Sequence, residues 1–282
     1  MSNATIISYG DYIKPNPIPG HGIDVDNYPW QILSEGDSWF NFNRFAPEEN
    51  LLQHLNFKKD TVIVNVALSG DTIQDILEKK RFRFFRDALK SRKLSMILFS
   101  AGGNDLIDAF CGDYHIGGEV IKILKSATSK DFMDYIDDAA MDKLLANIQT
   151  SYEKVAKLRV SLAKGINSQT PIVLHCYDYF TIRNGSENIS KRCKALKKQH
   201  VPVDLWEPIS KYMVDRLAKA LFELHDPSNH FYVVDTCRTL ISADANVIGD
   251  SKDWRNEIHP NHGGYQKLAD QRVSPVLNKL LP

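Results

Sequence analysis

The chain has no net charge: 35 lysines and arginines balance 35 aspartates and glutamates. That balance excludes the basic footprint of a general nucleic-acid binder and the field that steers a protein to an anionic membrane. No apolar run approaches the roughly 18 residues that a spanning helix needs. The N-terminal stretch MSNATIISYGDYIKP lacks a basic region followed by an apolar one. No secretory leader is visible, and a cytoplasmic location is expected. Cysteine is scarce: Cys111, Cys176, Cys193 and Cys237 lie far apart and form no C-x-x-C pair. This excludes the usual zinc-ribbon spacing and suits a reducing compartment. Cys176 and Cys237 fall in or just after apolar runs, where a buried thiol is the expected state. Internal repeats and low-complexity tracts are also missing.

What is present is enough to bury a large core. The 282 residues are 43% hydrophobic and 25% charged, the balance of a globular protein. One domain over residues 1–282 is expected. Residues 1–29 are rich in Pro, Gly and Asn and read as an irregular arm packed on that domain. Five short apolar runs follow: WQILSEG from Trp30, TVIVNVAL from Thr61, SMILFSA from Ser95, PIVLHCYDY from Pro171 and HFYVVDT from His230. Near-continuous apolar runs of this length suit strands buried on both faces of a parallel sheet.

Helical patterns separate the runs, at 47–55, 72–90, 131–165 and 207–225, with a last helix from His262 that Pro275 interrupts. Alternating strand and helix predicts an α/β fold. The expected form is a three-layer α/β/α sandwich with a flavodoxin-like parallel sheet of about five strands. Two connections are long, about 106–130 and 181–208, and long connections in compact domains are often functional lids. The second carries Lys191, Arg192, Lys194, Lys197 and Lys198, which read first as a solvated helix face and second as a contact for an anionic substrate.

In an open α/β sheet, ligands bind beyond the carboxyl ends of the strands. The residues just past each run are polar and glycine-rich. The first run leads into Gly36-Asp37-Ser38-Trp39, within SEGDSWFNF, and the second into Ser69-Gly70-Asp71. The third leads into Gly102-Gly103-Asn104-Asp105, and after the fifth comes DWRNEIHPNHGGY, with His259. These types suit acyl transfer. Ser38 at a strand-to-helix turn would be exposed above the sheet, where backbone N–H groups favour a developing oxyanion. Gly70 can bring its N–H close to a substrate oxygen, since no Cβ intrudes. Asn104 can donate a side-chain N–H to the same oxygen. His259 could take the Ser38 proton and return it to the leaving group. Ser38 could equally be a helix cap, and Asn104 a turn residue.

Together the four stretches resemble the four blocks of the SGNH (GDSL-type) hydrolase superfamily, in order, from Trp30 to about Leu268. Trp39 stands where the family usually has leucine. No G-x-S-x-G elbow occurs, which argues against the other large serine-hydrolase fold. The resemblance implies Ser38 as nucleophile, His259 as base, and an oxyanion hole from the Ser38 N–H, Gly70 and Asn104. The implied reaction is hydrolysis of an ester or thioester through an acyl-enzyme, without metal or organic cofactor. The substrate would be a small molecule. Core packing is the default role of Trp39 and Phe40, and both are also candidates for the wall of an acyl pocket.

One departure matters. The family usually has aspartate three residues before the histidine, and this chain has Asn256. Three arrangements are open: Asp253 folds back onto His259, Glu257 does so, or a Ser–His dyad works with Asn256 or a backbone carbonyl holding the ring. The competing functional reading is a binding protein that keeps the fold without the catalysis. His262 invites a zinc reading, but the sequence presents no further ligands beside it.

Overall fold

The computed structural model describes residues 1–12, 23–41, 49–78, 82–184 and 190–282. Its centre is a six-stranded parallel sheet: β1 (Thr5–Ser8), β2 (Trp30–Gly36), β3 (Thr61–Asn65), β4 (Met96–Ser100), β5 (Ile172–His175) and β6 (Phe231–Val234). The spatial order is β6-β5-β4-β2-β3-β1. All five expected runs are strands. Each is short and largely apolar, and every residue of β3 and β4 is buried. Complete burial means that both faces of the sheet are covered, as parallel strands require.

The sixth strand corrects the sequence reading. Residues 1–29 are not irregular throughout, because Thr5–Ser8 pairs in parallel with Val62–Asn65 on the edge of β3. The segment is only four residues long and is followed by glycine and prolines, so its pattern was too short to stand out. Edge strands satisfy their backbone groups on one side only and tolerate such brevity. Without it, the order is the 2-1-3-4-5 of a flavodoxin-like sheet.

The helices are α1 (Ile73–Glu78), α2 (Phe82–Ser91), α3 (Gly103–Cys111), α4 (Asp138–Ser161), α5 (Lys191–Lys198), α6 (Trp206–Phe222), α7 (His262–Leu268) and α8 (Ser274–Leu280), and all but α3 and α5, which run into the two stretches read as long connections, lie near the expected places. The expected helix at 47–55 shortens to a turn at Leu51–His54, begun by an Asn50–Gln53 capping box. Residues 47 and 48 lie outside the described residues. Between α7 and α8 a π-helical turn spans Ala269–Val273, and Pro275 sits in the first turn of α8, where its missing N–H costs nothing.

The two long connections are partly structured. Residues 106–111 complete α3, and the hairpin Tyr114–Ile116 with Glu119–Ile121 follows. The second connection contains α5. There Arg192 pairs with buried Glu257 and Lys191 with Asp113, so these two members of the basic cluster are engaged within the protein.

The chain order reverses at β2: the connection from β2 goes to β3 on one side, and that from β3 crosses back to β4 on the other. The carboxyl end of β2 is therefore the topological switch point, where such sheets bind ligands. Gly36 ends β2 at φ +151°, and a Cβ there would lie 2.4 Å from the Ser100 carbonyl oxygen and 2.8 Å from the Ser100 nitrogen. Both obstacles are backbone of the neighbouring strand. Gly36→Ala is expected to cost about 1–3 kcal/mol through overpacking. Chemical denaturation measures it, and an unchanged midpoint would refute the close approach.

Candidate active site

Beyond Gly36 the chain turns sharply. The Asp37 N–H donates to the Ser100 carbonyl at 2.8 Å, and the Phe40 N–H donates back to the Asp37 carbonyl at 3.1 Å. Ser38–Phe40 is thus a turn rather than the helix start expected from the sequence. Ser38 is half-buried at its crest. Its Oγ lies 2.7 Å from His259 Nε2, across 221 residues of sequence.

His259 sits at the end of a tight loop. Trp254 bridges to Pro260, and the Arg255 N–H donates to the His259 carbonyl at 2.9 Å. Buried Arg183 ties this loop down by donating to the carbonyls of Trp254 and Asn256 at 3.4 and 3.2 Å, and also to that of Gly249. The Trp39 indole N–H donates to the Ile258 carbonyl at 3.1 Å, linking the serine turn to the histidine loop.

The three candidates for the third position separate cleanly. Asp253 does not serve His259: Lys267 holds both its oxygens, at 2.6 and 2.7 Å, and the Ile241 N–H donates to one of them at 2.7 Å. Glu257 is buried and turned towards α5, accepting from the Arg183 N–H, the Ser190 hydroxyl and the Arg192 guanidinium. Asn256 alone of the three meets the ring, with Nδ2 3.1 Å from His259 Nδ1.

That contact fixes a proton. Asn256 Oδ1 accepts from the N–H groups of Ile258 and His259, at 3.0 and 2.9 Å. Two donors aimed at one amide atom identify it as the oxygen, so the NH₂ faces the ring. Nδ1 must then accept, and the neutral imidazole carries its proton on Nε2, which points at Ser38. An aspartate in the same place would accept from Nδ1–H and leave Nε2 bare to take the serine proton. Asn256 therefore orients His259 correctly in space and holds it in the tautomer opposite to that of a base.

The remaining candidates lie around the same edge. Asn104, in the first turn of α3, donates from Nδ2 to the Asp71 carbonyl at 3.0 Å and keeps a second N–H. Gly70, next to Asp71, has φ +85° with open space where a Cβ would be. Asp105 is buried and binds this region together, accepting from the Ile73 N–H at 2.9 Å and the Tyr114 hydroxyl at 2.8 Å. Burial pushes its carboxyl up to about 7 against those bonds.

Ser38, Trp39 and Asn104 border a cavity of about 40 Å³ whose other walls include Leu106, Ile107, Phe180, Val214, Leu217 and Ile258. These apolar liners are the site residues that sequence reading missed, and no polar motif marks them. Trp39 reaches the cavity but is buried and packed between His175, Tyr177 and Tyr265. Phe40 does not belong to it. Its ring is buried in the core beside His175.

A second Ser, His and Asp meet under the site: His175 Nε2 is 2.9 Å from Ser100 Oγ, which donates to Asp37 Oδ1 at 2.8 Å. The Tyr177 N–H donates to His175 Nδ1 at 3.2 Å, so Nε2 carries the proton and donates to the serine. The proton order runs from histidine through serine to aspartate, the reverse of nucleophile activation. All three are at most 3% exposed. This network fixes Asp37, which also accepts from the Tyr177 hydroxyl at 2.6 Å and the Trp39 N–H at 3.0 Å. Burial pushes the Asp37 carboxyl up to about 6 and holds the His175 imidazole down to about 3.

In the unfolded chain a histidine takes its proton near pH 6.5. Between about 6.5 and 3 the unfolded state therefore binds the proton that folded His175 refuses. Its contribution to stability is complete above that range and is lost as the pH falls through it. The His175 ring nitrogens should show no titration in NMR spectra between pH 5 and 8, and a midpoint inside that range would contradict the buried donor role.

Residues 33–271 match the profile of the family described as GDSL-like Lipase/Acylhydrolase. The chain belongs to that family. GDSL-like lipases and acylhydrolases are of the carboxylic ester hydrolase type, and ester substrates are implied for the family. Solved structures with similar folds include an extracellular lipase from Streptomyces rimosus, at 15% identity and TM-score 0.49, covering 89% of this chain and 99% of that one. A putative arylesterase from Agrobacterium tumefaciens has 12% identity and TM-score 0.48, covering 89% and 100%. An acetylxylan esterase from Geobacillus stearothermophilus has 17% identity and TM-score 0.40, covering 86% and 91%. No curated protein matches the chain. Among the described residues, no helix of this GDSL-like protein is long and apolar enough to cross a membrane.

Proposed function

We propose that the protein is a serine hydrolase of small carboxylic esters or thioesters, with Ser38 as nucleophile and His259 as base and then acid. The observation that carries this reading is the 2.7 Å contact of Ser38 Oγ with His259 Nε2 at the mouth of an apolar cavity. In the acylation step Ser38 Oγ bonds to the acyl carbon while its proton passes to Nε2. The Ser38 N–H, the Gly70 N–H and the free Asn104 N–H hold the oxyanion. Collapse expels the alcohol or thiol, which leaves with the proton from Nε2. Water then repeats the sequence and frees the acid. The cavity beside Ser38 is small, about 40 Å³, and walled by apolar side chains, which suits a short acyl group such as acetyl better than a fatty acyl chain.

Asn256 sets the rate in this scheme. Before Nε2 can accept the serine proton, the imidazole must move its own proton to Nδ1, against the Asn256 NH₂. Turnover by the protein as it stands is therefore expected to be slow. The same observation favours a second reading, a binding protein that holds a short acyl ester without cleaving it. A fluorophosphonate probe separates the two. The hydrolase reading expects slow, saturating, one-to-one labelling of Ser38, with nitrophenyl acetate cleaved faster than the octanoate. No labelling over hours from pH 6 to 9 would sink it and leave the binding reading.

A further inference from the structure

Beside Tyr265, three side chains converge that the proposed chemistry does not use. His54 ends the Leu51–His54 turn and is 6% exposed, with its ring stacked on Tyr265 at 6.2 Å. Its Nδ1 lies 3.1 Å from Gln266 Oε1. Gln266 donates from Nε2 to Asp270 at 2.7 Å, so its oxygen faces the ring and His54 Nδ1 carries the proton. His54 Nε2 is then a bare lone pair. It is buried and, among the described residues, has no hydrogen-bond partner. Glu49 Oε2 lies 3.7 Å from it, an acceptor facing an acceptor. His262, the first residue of α7, brings Nδ1 to 3.0 Å from both Glu49 oxygens. The two imidazoles are 4.8 Å apart and nearly perpendicular.

We propose that Glu49, His54 and His262 bind a divalent transition metal ion of the zinc class. Two imidazole nitrogens and one carboxylate form a borderline-soft donor set that suits zinc better than calcium or magnesium. The ligand atoms all lie within 4.8 Å of one another. Tetrahedral zinc with bonds of about 2.0–2.1 Å sets them about 3.3 Å apart, so the set closes by about an ångström or more at its widest. His262 and Glu49 have exposed side chains, at 70% and 42%, and can make that move, while buried His54 stays fixed. Gln266 supplies the outer hydrogen bond that a metal-binding imidazole usually has, and it presents the correct nitrogen. The ion would clip the segment after the Ser38 turn to the helix after His259. His262 invited a zinc reading in the sequence, but its partners were not legible there, because Glu49 and His54 lie more than 200 residues before it and become its neighbours only in the fold.

Titration of the full chain with Zn²⁺ alone tests the site, by calorimetry and by thermal denaturation. One equivalent should bind, and the melting temperature should rise. His262→Ala and Glu49→Gln alter exposed side chains and should fold normally. Each should bind at least about tenfold more weakly and lose the thermal shift. Mg²⁺ in place of Zn²⁺ should give no shift. Equal Zn²⁺ affinity in the wild type and in His262→Ala would overturn the site, as would saturation only above about 1 mM. Neither readout depends on esterase activity, so failure here leaves the proposed function standing.

Discussion

Asn256→Asp is expected to raise kcat/KM for a short-chain ester by about 10³–10⁴-fold. The size follows from the reverse change in serine proteases, where an aspartate replaced by asparagine leaves the geometry intact, fixes the wrong tautomer and costs about 10⁴ in kcat. Here the geometry is already that of the active arrangement. Oδ1 accepts from the Ile258 and His259 N–H groups, and a carboxylate keeps both bonds. Its second oxygen takes the place of Nδ2, 3.1 Å from Nδ1, and now accepts the Nδ1 proton. Nε2 becomes the bare nitrogen facing Ser38 Oγ, and the imidazolium formed during acylation gains a negative neighbour. The gain should appear mainly in kcat, because no cavity wall changes. Steady-state kinetics on nitrophenyl acetate at pH 7 measures it. Unchanged or lower activity in a folded variant would show that the amide does not limit the base.

Ser38→Ala should have a strongly background-dependent effect, and that dependence is the sharper test. Residues that act as one catalytic unit are grossly non-additive: in subtilisin, loss of the serine alone costs about 10⁶, nearly as much as loss of the whole triad, while loss of the aspartate alone costs about 10⁴. If Asn256 already forfeits the base, Ser38→Ala in the natural sequence has only about 10²-fold left to remove. In the Asn256→Asp background the same substitution should cost about 10⁵–10⁶-fold. A double-mutant cycle on kcat/KM reads the coupling directly. Equal costs in the two backgrounds would mean that Ser38 and position 256 do not belong to one proton path.

The site was legible in the sequence to an uneven degree. Ser38, Gly70, Asn104 and His259 were readable because each follows a strand run, and strand ends of a parallel sheet gather at one edge. The third position was not. Asp253 and Glu257 lie six and two residues before His259, on either side of Asn256, and a carboxylate was the natural expectation. Their partners decided otherwise: Lys267 lies on the next helix, and Arg183 and Arg192 come from a connection some 70 residues away. The strand at Thr5–Ser8 was hidden for a different reason, since four residues on an edge need less apolar pattern than a central strand.

The sequence by itself determined the layered α/β plan, five of the six strands, and the four polar blocks that mark the family. It could do so because burial on both faces demands continuous apolar runs, and those runs are local. Only the tertiary structure decided which way protons point. The Asn256 amide is oriented by two backbone N–H groups, and the His54 imidazole by a glutamine more than 200 residues away. A hydrogen bond reads the direction of a donor, and that direction exists only once the chain has folded.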